Sequence, residues 1–252
     1  MTVSEASAGG TPATTASDGL VLDFGDRTEH IASGTTFVIG RGTDLSIDDN
    51  QYVHRRFLEI GEREGIWWLT NVGSGLTASV ASADGLAQSW LAPGASMPLV
   101  FRATTVMFTA GETTYEFSLT AQSPFYQVST AWNDAGDGVA GLLSPVQRIL
   151  LTSLAEPLLR QRADGAVQLP SPEDVARRLG WTTEKFHRRL GTLCDKFSRL
   201  GIHGLERGAD GGIRASQRSR LVEHAVGARI VTADDLALLD AFVVQEPLAA
   251  AV

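Results

Sequence analysis

Three short segments carry the side chains best suited to chemistry. Arg41 ends the run Phe37-Val38-Ile39-Gly40-Arg41. Arg55 and Arg56 stand together in Val53-His54-Arg55-Arg56-Phe57. Ser74 and Gly75 form a turn after Ile66-Trp67-Trp68-Leu69-Thr70-Asn71. Arginine forks, a short hydroxyl and backbone N–H groups are the donors that hold a phosphate dianion. His54 in its protonated form adds a further cation. Farther along, Lys185, Arg188, Arg189 and Arg199 fall on one helix-forming stretch and Arg214 follows it. Basic residues so placed suit a nucleic-acid backbone. No set suits catalysis. His30, His54, His187, His203 and His224 lack metal-ligand spacing. Gly40-Arg41-Gly42 and Gly73-Ser74-Gly75 lack the Lys-Ser/Thr helix start of a nucleotide loop, and the latter reads as a turn, not a nucleophile elbow. The expectation is a binding protein, not an enzyme, with no cofactor and no metal.

The elements that must position these residues change character along the chain. Residues 1–18 are Ser, Thr, Ala and Gly with almost no large apolar side chains, the composition of a disordered tail. Thr14 and Thr15 there are candidate modification sites. From 19 to 120 short β-rich runs alternate with Gly, Asp and Ser turns, among them Val21-Leu22-Asp23-Phe24, Thr105-Val106-Met107-Phe108-Thr109 and Thr114-Tyr115-Glu116-Phe117-Ser118-Leu119. That spacing predicts an all-β sandwich. Trp67 and Trp68 are read as its core. Residues 121–143 read as a linker, and 144–241 as a small, mainly α domain with a tail at 242–252. Ser144, Ser171 and Thr182 or Thr183 are candidate helix caps, and Pro157 is expected to kink or shorten the first helix. Phe186, Leu190, Leu193, Cys194, Phe197 and Leu200 make a helical stripe.

Order and spacing of the three loops resemble the forkhead-associated (FHA) domain, a β-sandwich whose loops bind phosphothreonine. The resemblance implies that Arg41 is the phosphate-binding arginine, and that His54, Arg55, Ser74 and Gly75 complete a phosphopeptide site. The family's second loop usually reads Val-Ser-Arg-Arg-His; here His54 replaces the serine and Phe57 the histidine. The third usually reads Gly-Ser-x-Asn-Gly-Thr; here Leu76 replaces the asparagine and cannot make its hydrogen bonds. A phosphorylated protein is the implied partner, with a Ser/Thr protein kinase behind it. A degenerate, phosphate-independent docking domain is the alternative.

Val175-Ala176-Arg177-Arg178-Leu179-Gly180 resembles the entry helix of bacterial helix-turn-helix regulators, here of actinobacterial type. That resemblance implies a winged-helix-like domain in which Lys185, Arg188, Arg189 and Arg199 face double-stranded DNA. Arg207, Arg214, Arg218 and Arg220 then flank a wing tip at Gly208-Ala209-Asp210-Gly211-Gly212. The competing reading is an adaptor whose helical domain docks protein.

Charge is divided in the same way. Residues 1–140 hold 6 Lys+Arg against 16 Asp+Glu, residues 141–229 hold 15 against 9, and the whole chain of 252 carries −8. An acidic half joined to a basic half predicts different partners for the two. No apolar run approaches the roughly 20 residues of a membrane span, and no signal peptide is evident. Cys194, the only cysteine, excludes an intrachain disulfide, so a reducing cytoplasm is expected.

Overall fold

The computed structural model describes residues 19–122, 143–160, 165–206 and 212–245. The expected N-terminal tail, nearly all of the linker, the wing tip up to Gly211 and the residues after 245 lie outside that set.

Alternation of apolar and polar residues builds two facing sheets. The first has the order β2 (Arg27–Ile31), β1 (Leu20–Phe24), β11 (Thr113–Ala121), β10 (Ala103–Ala110), β7 (Ala78–Ser82), β8 (Gln88–Leu91). The second runs β4 (Leu45–Ser46), β3 (Thr36–Gly40), β5 (Leu58–Arg63), β6 (Ile66–Asn71), β9 (Ser96–Pro98). Inward residues of both, including Leu22, Val106, Phe108 and Phe117 from one and Ile39, Leu58, Ile60 and Leu69 from the other, form one buried core. Trp67 belongs to that core. Its neighbour Trp68 points the other way, half-buried, with the Arg63 guanidinium 5.9 Å from its ring centroid. Period-2 alternation therefore admits one tryptophan to the core, not the expected two.

The helical part begins with α1 (Pro145–Arg160), whose Ser144 hydroxyl accepts from the Gln147 N–H while the Gln147 side chain accepts from the Ser144 N–H. This reciprocal cap satisfies two orphan donors. Pro157 lies in the last turn, and α1 ends three residues later. Ser171 caps α2 (Pro172–Arg178) and Thr182 caps α3 (Thr183–Arg199), each accepting from the N–H three residues on. Phe186, Leu190, Leu193, Cys194 and Phe197 of α3 are buried as the stripe predicts, but Leu200 is 50% exposed, because the helix has ended before it. Then come α4 (Ala215–Gly227), a 3-10 turn (Ala233–Asp235) and α5 (Leu236–Gln245), which continues past the expected boundary at 241.

The two parts share surfaces. A short strand, β12 (Ala166–Gln168), precedes α2 and pairs with Thr113, Thr114 and Tyr115 of β11, extending the first sheet. Helix α4 packs on the outer side of β10 and β7. This explains why all five residues of β7 are buried. One face meets the core and the other meets a helix, so alternation disappears. Gly227 closes that contact: a Cβ there would lie 2.8 Å from the Gln88 Nε2. Gln88 donates to the Ser79 hydroxyl (2.8 Å) and to the Glu223 carbonyl (3.4 Å), and Thr109 donates to the Glu223 carboxyl at 2.6 Å.

Burial raises the Glu223 pKa from 4.5 to about 7, against hydrogen bonding by Thr109 and attraction to Arg220. The adjacent His224, buried against Phe197, is lowered by burial to about 4. The folded state thus holds the Glu223 proton more tightly than the unfolded chain. Stability from this group is complete below pH 4.5 and is lost as pH rises through about 7. His224 acts oppositely: its neutral ring's contribution is present above pH 6.5 and is lost as pH falls through about 4. Glu223→Gln removes the charge and keeps an acceptor for Thr109. It is expected to unfold at higher urea than wild type at about pH 8, by roughly 2–3 kcal/mol, and to match it near pH 4. Urea titrations at the two pH values check this.

Candidate functional site

The three loops meet at one end of the sandwich. Gly40 ends β3, and its backbone lies against that of the second loop. A Cβ on Gly40 would sit 2.3 Å from the Arg55 carbonyl oxygen and 2.8 Å from that of His54. Only a glycine admits this approach. It lets the Arg41 N–H donate to the His54 carbonyl at 3.0 Å and the Phe57 N–H to the Ile39 carbonyl at 2.9 Å. The third loop is tied to the second through the Val72 and Gly73 N–H groups, which both donate to the Phe57 carbonyl at 2.9 and 3.2 Å.

Phe57 is fully buried beneath these loops. Its ring meets Phe108 edge-on at 4.6 Å, and Phe108 stacks on Tyr115 at 5.0 Å. The Tyr115 hydroxyl donates to Asp48 (2.8 Å) and accepts from the Asn50 side chain (2.9 Å), which also donates to the Ala110 carbonyl. Burial pushes the Tyr115 hydroxyl up to about 12, so it keeps its proton for Asp48. The second loop is thereby moored to the β10–β11 hairpin.

The predicted residues fall as follows. Arg41 is half-buried and Arg55 exposed, and neither has an ion pair among the described residues. Arg56 is instead paired with Glu59 at 2.7 Å. His54 is half-buried against the third loop: its Nδ1 lies 3.5 Å from the Ser74 hydroxyl, the outer limit of a hydrogen bond. Its Nε2 lies 3.5 Å from where a Gly75 Cβ would stand. Ser74 and Gly75 are exposed. Leu76 packs against the sandwich core.

Sequence reasoning missed Asn71. It is completely buried, donates to the Leu76 and Leu91 carbonyls at 2.8 and 2.9 Å, and accepts from the Gly73 N–H at 3.0 Å. A polar residue ending the apolar run Ile66–Leu69 was its signal. Asn71 shapes the third loop from below.

In the helical part, α2 and α3 pack through a tight turn in which the Trp181 N–H reaches the Ala176 carbonyl at 2.8 Å. Arg188, Arg189 and Arg199 are exposed on α3. Lys185 folds back, its Nζ 4.9 Å from the Trp181 ring centroid. The expected wing is not formed by the described residues: 202–206 and 212–214 carry no strand. Arg214 instead stands at the N-cap of α4, its N–H donating to Gln217, and Arg218 and Arg220 lie on α4. The polar run Ala215–Arg220 enters a helix because α4 has the sandwich to pack against. Among the described residues, no cluster of three His, Cys, Asp or Glu could hold a metal, and no helix is long and apolar enough to cross a membrane.

No protein-family model matches the chain, and no curated protein matches it. Among solved structures it is similar to the FHA-1 domain of Rv1747 from Mycobacterium tuberculosis, at 14% identity and a TM-score of 0.32, over 43% of this chain and 100% of that one. It is also similar to the FHA domain of an Arabidopsis thaliana hypothetical protein, at 21% identity and a TM-score of 0.33, over 48% of this chain and 99% of that one. A third is the FHA domain of the CT664 protein from Chlamydia trachomatis, at 17% identity and a TM-score of 0.28, over 42% of this chain and 99% of that one. These structural neighbours are FHA domains, and each matches less than half of this chain.

Proposed function

We propose that the sandwich is a docking module for a protein segment bearing phosphothreonine, joined to a helical part that passes occupancy on to a second partner. One observation carries this reading: the backbone bond from Arg41 to His54 sets two arginines with no ion pair among the described residues on adjoining loops, beside Ser74 and Gly75. A phosphate dianion supplies the acceptors that two guanidinium forks, a hydroxyl and backbone N–H groups leave open. The protein upstream of such a site is a Ser/Thr kinase that phosphorylates the partner. The test is calorimetric titration of the full chain with a degenerate phosphothreonine peptide pool and its unphosphorylated twin. Binding of the first alone is expected. Equal binding of both leaves a phosphate-independent adaptor.

A second partner of the helical part is double-stranded DNA. Arg160, Arg177 and Arg178 are each paired with a carboxylate at 2.8–3.0 Å, whereas Arg188, Arg189 and Arg199 have no ion pair among the described residues. Arginines without an ion pair on the exposed face of one helix are available to neutralise phosphates. Duplex binding by the full chain is expected to fall steeply with salt, and Arg188→Ala to lower affinity about tenfold at about 50 mM salt. A salt-titrated mobility-shift assay measures both. No complex at that salt removes DNA and favours the protein-docking adaptor.

A further inference from the structure

Beside the third loop a concavity, about 340 Å³, opens between the sandwich and the helical part. Gly75, Thr77 and Thr109 stand on its sandwich wall, and Ser216, Arg220 and Glu223 of α4 on the other. Gly75 belongs to both sites, since it also faces the His54 ring. A residue of extended peptide advances about 3.4 Å, so a ligand lying along the third loop reaches this cleft within a few residues of its phosphate.

The cleft is cationic in a specific way. The Arg220 guanidinium lies over the Trp90 ring, 4.0 Å from its centroid. Its Nε is buried without a hydrogen-bond partner, and no carboxylate among the described residues reaches ion-pair distance of it. The hydroxyls of Thr77 and Ser216 likewise have no partner among the described residues, whereas Ser219 is spent on the Ala215 carbonyl. The one carboxyl among the lining residues, Glu223, accepts from Thr109, and its burial raises its pKa to about 7 against the attraction of Arg220, so it is only partly ionised at neutral pH. A stacked arginine held in a fixed plane beside free hydroxyls is suited to an oxyanion.

Building on the docking reading above, we propose that this interdomain cleft is a second subsite of the peptide site. It takes an oxyanionic side chain, carboxylate or phosphate, flanking the phosphothreonine, with Arg220 as the recognising cation. A docked ligand then touches the sandwich and α4 together, which is how occupancy reaches the helical part.

The experiment uses the full chain and phosphothreonine peptides with Asp, phosphoserine or Ala placed in turn at each flanking position. At one position Asp or phosphoserine is expected to bind about tenfold tighter than Ala. Arg220→Gln is expected to abolish that preference, so that the Asp, phosphoserine and Ala peptides bind alike. Ser216→Asp, an exposed change that suits a helix's first turn, puts a negative charge on the rim and is expected to abolish the preference too. Preference for phosphoserine without preference for Asp identifies phosphate as the source of the oxyanion. If wild type discriminates phosphorylated from unphosphorylated peptide yet shows no flanking preference, or if the preference survives both variants, the subsite is refuted and the docking reading stands. If wild type does not discriminate phosphate at all, both fall.

Discussion

Arg41→Ala is expected to reduce affinity for a phosphothreonine peptide a hundredfold or more, about 3 kcal/mol, towards the level of its unphosphorylated twin. The reason is local. Arg41 is anchored by its own N–H on the His54 carbonyl, so its guanidinium starts from a backbone already fixed for binding. Truncation removes two charge-assisted bonds and leaves the loop path intact. Arg41→Lys keeps the charge but loses the fork, and intermediate affinity is expected. Calorimetry with both peptides on the three proteins decides the matter. Equal affinities for wild type and Arg41→Ala count against phosphate recognition at this loop.

Gly40→Ala is expected to cost more than about 4 kcal/mol of stability and to abolish ligand binding with it. The added methyl would meet the Arg55 carbonyl oxygen at 2.3 Å and its carbon at 2.8 Å, and both are backbone atoms with no rotamer to move away. Relief requires β3 to separate from the second loop, which breaks the Arg41–His54 bond that aligns the two arginines. Gly42→Ala is the internal control. Gly42 has φ 77° but open space around a Cβ, so only left-handed strain of about 1 kcal/mol applies there. Urea denaturation of the three proteins gives the difference, and similar midpoints for both variants would refute the close-approach argument.

The departures from the FHA loop pattern have physical counterparts. Phe57 replaces a polar anchor with an aromatic one, stacked through Phe108 to Tyr115. Leu76 faces the core, and Asn71 supplies from beneath the hydrogen bonds that hold the third loop. The third loop is therefore held from beneath by Asn71, with Leu76 packed on the core. The partnership of sheet and helix also bears on experiments. A fragment ending near 120 would lose β12 from β11 and uncover the outer side of β10 and β7, so the full chain is the proper reagent.

Local order was determined by the sequence alone. Alternation marked β1, β3, β5, β6, β10 and β11. Gly-Arg and paired-arginine spacing marked the first two loops, and Ser144, Ser171 and the pair Thr182 or Thr183 marked three helix starts. Each rests on interactions within a few residues, which is what periodicity and capping record. Elements without such a signature were not legible. β2 is a largely exposed, polar edge strand, β7 is buried on both faces, and β12 is three residues long. Tertiary structure alone decided that Arg220 stacks on Trp90, that Gln88 meets Glu223 across 135 residues, and that α4 stands beside the third loop. Such contacts are chosen by shape and charge between surfaces far apart in the chain. They leave no period behind, and the same basic residues read equally well as a wing until the sandwich is there to receive them.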